Sequence, residues 1–188
     1  MTARITMAAL INKLRGMTDT TANDYTVGTI TYWTDDQLED ELDLHQMYVN
    51  FLSMVEIPST GASLAITYTR YETGLTDWEN TPTIQDENGT TIADTEYTFD
   101  PNTGVIIFDS DTTGLSRYIT GYVYNVERAA AGIWRKKAAH SASGFDFTTD
   151  NHSVKRSQVS IQYLDMARFY EKQAGSKMVS IYRGDDVV

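Results

Sequence analysis

The sequence predicts an α+β protein: a helical base of about four helices with a small antiparallel β domain inserted in it. Three observations carry that expectation. Apolar residues recur at helical spacing near both ends of the chain. The middle alternates apolar and polar residues in short runs. Turn signals, Asn88-Gly89 and Asp100-Pro101-Asn102-Thr103-Gly104, separate those runs. The expected divisions are residues 1–61 for the first part of the base, 62–124 for the β domain, 125–175 for the second part of the base, and 176–188 for a C-terminal tail.

The first helix is expected over residues 2–15. Ile5, Ala8, Ala9, Ile11 and Leu14 form its apolar side and Gly16 ends it. Residues 17–31, rich in Thr, Asp, Asn and Gly, read as loop. Thr34 followed by Gln37 is a capping box. Asp35 and Asp36 suit the positive end of the helix dipole. Leu38, Leu42, His45, Val49 and Leu52 then recur at spacings of four and three, so the second helix is expected to continue until Pro58 stops it.

Residues 63–71 alternate as a strand, Leu64, Ile66 and Tyr68 against Ala65, Thr67 and Thr69. Tyr97 to Phe99 and Val105 to Phe108 flank a turn in which Pro101 presets φ and Gly104 takes the left-handed position, which makes a hairpin. Residues 118–124 form a last strand that runs directly into the third helix. In that helix Val126, Ala130, Ile133, Trp134 and Ala138 share one face, with Arg128, Lys136 and Lys137 largely on others. Ser153 is the expected N-cap of the fourth helix, whose inner face combines Ile161, Leu164 and Ala167 with Tyr163, Tyr170 and Ala174; Gly175 stops it. Between these helices Phe145 and Phe147 alternate with Asp146, so both rings fall on one side. They either pack onto the helices as a lid or contact another subunit.

The 188 residues suffice for a core burying roughly 70% of the unfolded surface. The apolar fraction of 41% and charged fraction of 22% are ordinary, but the net charge of −11 is not. It disfavours nonspecific DNA binding, which needs clustered Lys and Arg, and would let DNA pass an acidic wall unheld. With no cysteine, disulfides and thiolate metal sites are excluded. No apolar run is long enough to span a bilayer and no signal-peptide pattern occurs, so no membrane partner is expected and synthesis in the cytoplasm is.

Enzyme signatures are missing. His45, His140 and His152 fit no ligand spacing, and no nucleophile elbow, P-loop or dinucleotide fingerprint occurs. Asp109-Ser110-Asp111-Thr112-Thr113-Gly114 begins like a calcium loop, but its twelfth position is Thr120 rather than Glu. The expectation is no catalysis, no metal and no cofactor.

The run AAAGIWRKKAAHSASGFDFTTDNHSVKRSQ resembles the C-terminal half of head–tail connector (adaptor) proteins of long-tailed bacteriophages. The shared features are Trp134 in an Ala-rich helix, the Lys137-Ala138-Ala139 step, the Phe145-Asp146-Phe147 loop, and entry to the next helix through Arg156-Ser157-Gln158. YWTDDQLEDELDLH, residues 32–45, is a second match. The resemblance implies a structural protein of the virion neck, assembled in the host cytoplasm. Twelve copies would form a ring under the portal protein, with helices side by side, the β domain outward and a channel for DNA. The portal and a head-closure or tail component would be its partners. Trp134, Phe145, Phe147 and Arg156 would then serve as core or subunit interface.

In the tail, Val179, Ile181 and Tyr182 are β-formers in a segment too short for a sheet of its own. It is either a frayed end or a strand added to a partner's sheet edge. By the resemblance that partner is the portal, reached through Met178, Val179, Ser180, Ile181, Tyr182 and Arg183. A second class of function is a binding module, in which Tyr71, Trp78, Tyr97, Tyr118 and Tyr122 form a platform for carbohydrate or another virion protein instead of packing across strands.

Overall fold

Helices and antiparallel strands follow one another as expected of an α+β chain, but the second helix, at 9 residues, is less than half its expected length. The computed structural model describes residues 3–20, 24–60, 65–142, 147–149, 152–154 and 156–175, with side chains described except at 147–149, 152–154, 156 and 157. In chain order the elements are α1 (Ala8–Thr18), β1 (Thr26–Val27), β2 (Ile30–Thr31), α2 (Asp35–Asp43), β3 (Gln46–Ser53), β4 (Val55–Thr60) and β5 (Ile66–Glu72). Next come β6 (Thr83–Gln85), β7 (Tyr97–Asp100), β8 (Val105–Phe108), β9 (Tyr118–Tyr124), α3 (Val126–Ala142), β10 (Phe147–Thr149), β11 (His152–Val154) and α4 (Arg156–Gln173). The chain divides into two compact units, one of residues 1–45 with 125–175 and one built on residues 46–124.

In the helical unit, α1 turns Leu10, Ile11 and Leu14 inward, while Ile5, Ala8 and Ala9, expected on that side, face out. The helix runs past Gly16 and ends where Asp19 turns left-handed. The capping box at α2 forms as expected: Gln37 N donates to Thr34 Oγ1 (3.4 Å) and Thr34 N to Gln37 Oε1 (3.2 Å). Leu38 and Leu42 are fully buried. Asn125 joins the two later helices: its Oδ1 accepts from Arg128 N (3.0 Å) at the start of α3, and its Nδ2 donates to Ala174 O (3.0 Å) at the end of α4. The expected N-cap Ser153 lies instead in β11, which pairs with β10, and α4 begins at Arg156.

The reading of 44–57 as helix is overturned. Gln46–Ser53 and Val55–Thr60 are strands, so the β unit begins at Gln46 and not at residue 62. Pro58 does not stop a helix; it lies in β4, an edge strand, where a missing N–H is tolerated. Two antiparallel sheets form, ordered β3-β9-β6 and β4-β5-β8-β7. The expected hairpin is β7–β8, with Tyr97 opposite Phe108 and Asp100 opposite Val105. One hydrophobic cluster draws on both sheets: Val49, Ile84, Ile119 and Val123 from one, Tyr71, Ile106 and Phe108 from the other.

Gly104 in the β7–β8 turn has φ +69, and a Cβ there would lie 2.1 Å from Leu75 O. That close approach leaves Leu75 O able to accept from Trp78 Nε1 at 3.1 Å. The calcium-like run closes a turn instead. Asp111 Oδ1 accepts from Tyr68 N (2.9 Å) and Thr113 N (3.0 Å), and Thr112 Oγ1 donates to Tyr68 O (2.7 Å).

Candidate assembly surface

The α3–α4 pair carries the residues that the sequence marks out. Ala129, Ala130 and Ala131 give α3 a smooth, fully buried surface, and the expected inner face of Val126, Ala130, Ile133, Trp134 and Ala138 is buried throughout. Trp134 is a core residue of this unit. Its Nε1 donates to Met17 O (3.2 Å) and its ring packs on Tyr163 with centroids 5.2 Å apart. Met17, Trp134, Tyr163, Met166 and Tyr170 line an open groove of about 610 Å³. Burial there pushes the Tyr170 hydroxyl above its ordinary value.

Lys137 departs from expectation. It is buried, with its ammonium on Thr18 O (2.8 Å), ion-paired to Asp24 and 5.0 Å from the Trp134 ring centroid. A cation thus meets the last carbonyls of α1, where the helix dipole is negative. Lys136, one residue earlier, pairs with the buried Glu41 of α2, and Arg135 pairs with Glu171 of α4. Three consecutive cations therefore tie α3 to three neighbours, which helical periodicity alone assigns to solvent. Tyr25 stacks on Tyr32 (4.9 Å) and His140 (4.0 Å). Burial first, then the charges of Tyr32 and Asp24, push the Tyr25 hydroxyl up. His45 is half-buried just beyond α2, and burial holds its imidazole below the ordinary value despite nearby Glu41.

The outer side of α4 was misread in the sequence. Tyr163, Ala167, Tyr170 and Ala174 turn toward the unit, as expected. Ile161 and Leu164 do not: Ile161 is 57% exposed and Leu164 is also open, as are Val159, Met166 and Phe169, the last at 50%. Their positions go round the helix, interleaved with the exposed Gln158, Gln162, Asp165, Arg168 and Lys172, so α4 keeps large apolar side chains in water outside its one covered side.

Phe145 and residues 178–183 lie outside the described residues, and of Phe147 and Arg156 only the backbone, in β10 and at the start of α4, is described. In the β unit, Tyr71 and Trp78 are fully buried and drop out of the alternative platform, while Tyr97 and Tyr118 are half-buried and Tyr122 exposed. Among the described residues no group of three or more His, Asp or Glu is placed to hold a metal ion, and no helix is long and apolar enough to cross a membrane. Comparison with protein-family models, with curated proteins and with solved structures finds no match.

Proposed function

We propose that the chain is a structural head–tail connector of a phage neck: a ring of identical copies that binds the portal protein, links it to the next neck or tail component, and leaves a channel for DNA. The observation that carries this reading is α4. The side of a helix left to solvent ordinarily carries polar residues, and here one copy covers only the Tyr163–Ala167–Tyr170 side and leaves Ile161, Leu164 and Phe169 exposed. A second copy packed side by side would cover Ile161, Leu164 and Phe169, as the resemblance of residues 129–158 to connector proteins implies. On this reading the helical unit is the base of the ring, the β unit is inserted between its two halves, and residues 178–183 reach the portal. The net charge of −11 keeps DNA moving rather than held.

The test is mass measurement of the purified chain alone and with a portal ring from the same phage, for the parent and for Ile161→Glu/Phe169→Glu. Ring-sized species from the parent, and monomers of unchanged helical content from the variant, are expected. A parent that stays monomeric with and without the portal ring overturns the reading.

A further inference from the structure

The outer face of the β3-β9-β6 sheet carries two cross-strand pairs of aromatic side chains that are not covered by the core. Tyr48 lies directly opposite Tyr122, with ring centroids 5.1 Å apart, and both are exposed, at 58% and 41%. Further along the same strands Phe51 stacks on Tyr118 at 4.1 Å with 7° between the planes, and Phe51 is 39% exposed. Tyr118, Thr120 and Tyr122 alternate along β9, so the two ring pairs lie on one side of the sheet.

Phe51 reaches that side only through an irregularity. Continued alternation from Met47 and Val49 would send Phe51 to the buried face. A bulge between Val49 and Leu52 shifts the register, and Phe51 takes φ +49, a conformation that bulky residues rarely adopt. Its N–H donates to Thr120 Oγ1 (2.9 Å), which donates in turn to Gln85 Oε1 (3.2 Å). The chain thus accepts backbone strain to turn the Phe51 ring onto Tyr118 on the outer face, where 39% of the residue stays exposed, instead of into the core. Bulges that re-aim a side chain and strained non-glycine residues gather where a protein binds something.

Charge identifies the kind of partner. Residues 46–124 contain eleven carboxylates, and Arg70 and Arg117 are their only basic residues. Arg70 is paired with Glu72 (2.7 Å), and Arg117 lies over the Phe108 ring. Asp86 and Glu87 follow directly on Gln85, which pairs with Tyr118. Exposed π faces in a strongly acidic unit attract guanidinium and ammonium groups by both ring quadrupole and net field. They repel phosphate, and the carboxylate excess adds nothing for a neutral sugar.

We propose that Tyr48, Phe51, Tyr118 and Tyr122 form a docking platform for a cationic, Arg- and Lys-rich segment of another protein. The platform belongs to the β unit and does not depend on ring assembly by the helical unit.

The test is titration of the full chain with an acetylated peptide of four Gly-Arg repeats, read by calorimetry, against the same peptide with citrulline for Arg. The variants are Tyr48→Ser/Tyr122→Ser and Phe51→Gly, which leave net charge unaltered. Saturable binding of the Arg peptide, weakened at least about tenfold in the double variant and lost with citrulline, is expected. Phe51→Gly, which relieves the positive φ, should bind more weakly without melting earlier. Equal affinity of parent and double variant would mean attraction by charge alone and overturns the proposal. So does absence of peptide binding, preferential binding of a neutral oligosaccharide in the same assay, or a self-dimer that the double variant abolishes.

Discussion

Gly132 of α3 exists to admit Glu41 of α2: a Cβ at position 132 would lie 2.1 Å from Glu41 Oε1. The carboxylate is buried and paired with Lys136, four residues further along α3. Burying a charge is tolerable only when it keeps its partner, so the glycine and the ion pair stand or fall together.

Gly132→Ala should therefore destabilise the helical unit, although alanine is the better helix former. Overpacking costs about 1–3 kcal/mol, against a propensity gain of about 1 kcal/mol. Urea unfolding followed by far-ultraviolet circular dichroism should show a lower midpoint. A raised midpoint would mean that Glu41 moves aside freely.

Gly104→Ala should damage the β unit more. It combines a left-handed backbone position with a 2.1 Å approach to Leu75 O, which cannot give way as a side chain can. The expected cost is about 2–4 kcal/mol. Because Trp78 Nε1 bonds Leu75 O and Thr73 Oγ1, the tryptophan environment should change as well. Native-like near-ultraviolet dichroism with an unchanged midpoint would contradict this account.

Trp134→Ala should cost about 3–5 kcal/mol in the isolated chain, because the ring fills the core of the helical unit. Trp134→Phe should recover much of that but leave Met17 O without its indole donor. A Trp134→Ala chain that melts with the parent yet fails to assemble would move this residue from core to interface.

Acid should loosen three turns of the β unit. Asp86 is held below its ordinary carboxyl value of 3.8 chiefly by the Thr90 N–H, Asp100 by the Thr103 hydroxyl, and Asp111 by the Tyr68 N–H. The folded state then binds these protons less readily than the unfolded chain. The stability they contribute is complete above pH about 4 and is lost as pH falls through the lower folded values. The triple variant Asp86→Asn/Asp100→Asn/Asp111→Asn should flatten the fall in unfolding midpoint between pH 5 and pH 2, taken as rough limits of that window. An equally steep fall would assign the acid sensitivity elsewhere.

The amino-acid sequence by itself determined what is decided within a few residues. The Thr34–Gln37 box, the Asn88-Gly89 and Asp100–Gly104 turns, and the buried face of α3 all formed as read. In each the interacting groups are neighbours in the chain or successive turns of one helix, so spacing carries the information. Tertiary structure alone decided residues 44–60. Leu38, Leu42, His45, Val49 and Leu52 fit a helical repeat, yet the strand that forms buries Val49 and leaves Tyr48 and Asn50 exposed. The choice came from β9, some seventy residues downstream, whose Val123 and Tyr122 pair with Met47 and Tyr48. The same holds for Lys137, whose partners Thr18 and Asp24 lie more than a hundred residues away, and for Phe51, whose outward turn depends on a register shift against β9. Strand pairing and buried-charge pairing draw their free energy from groups that only folding brings together, and no local pattern records them.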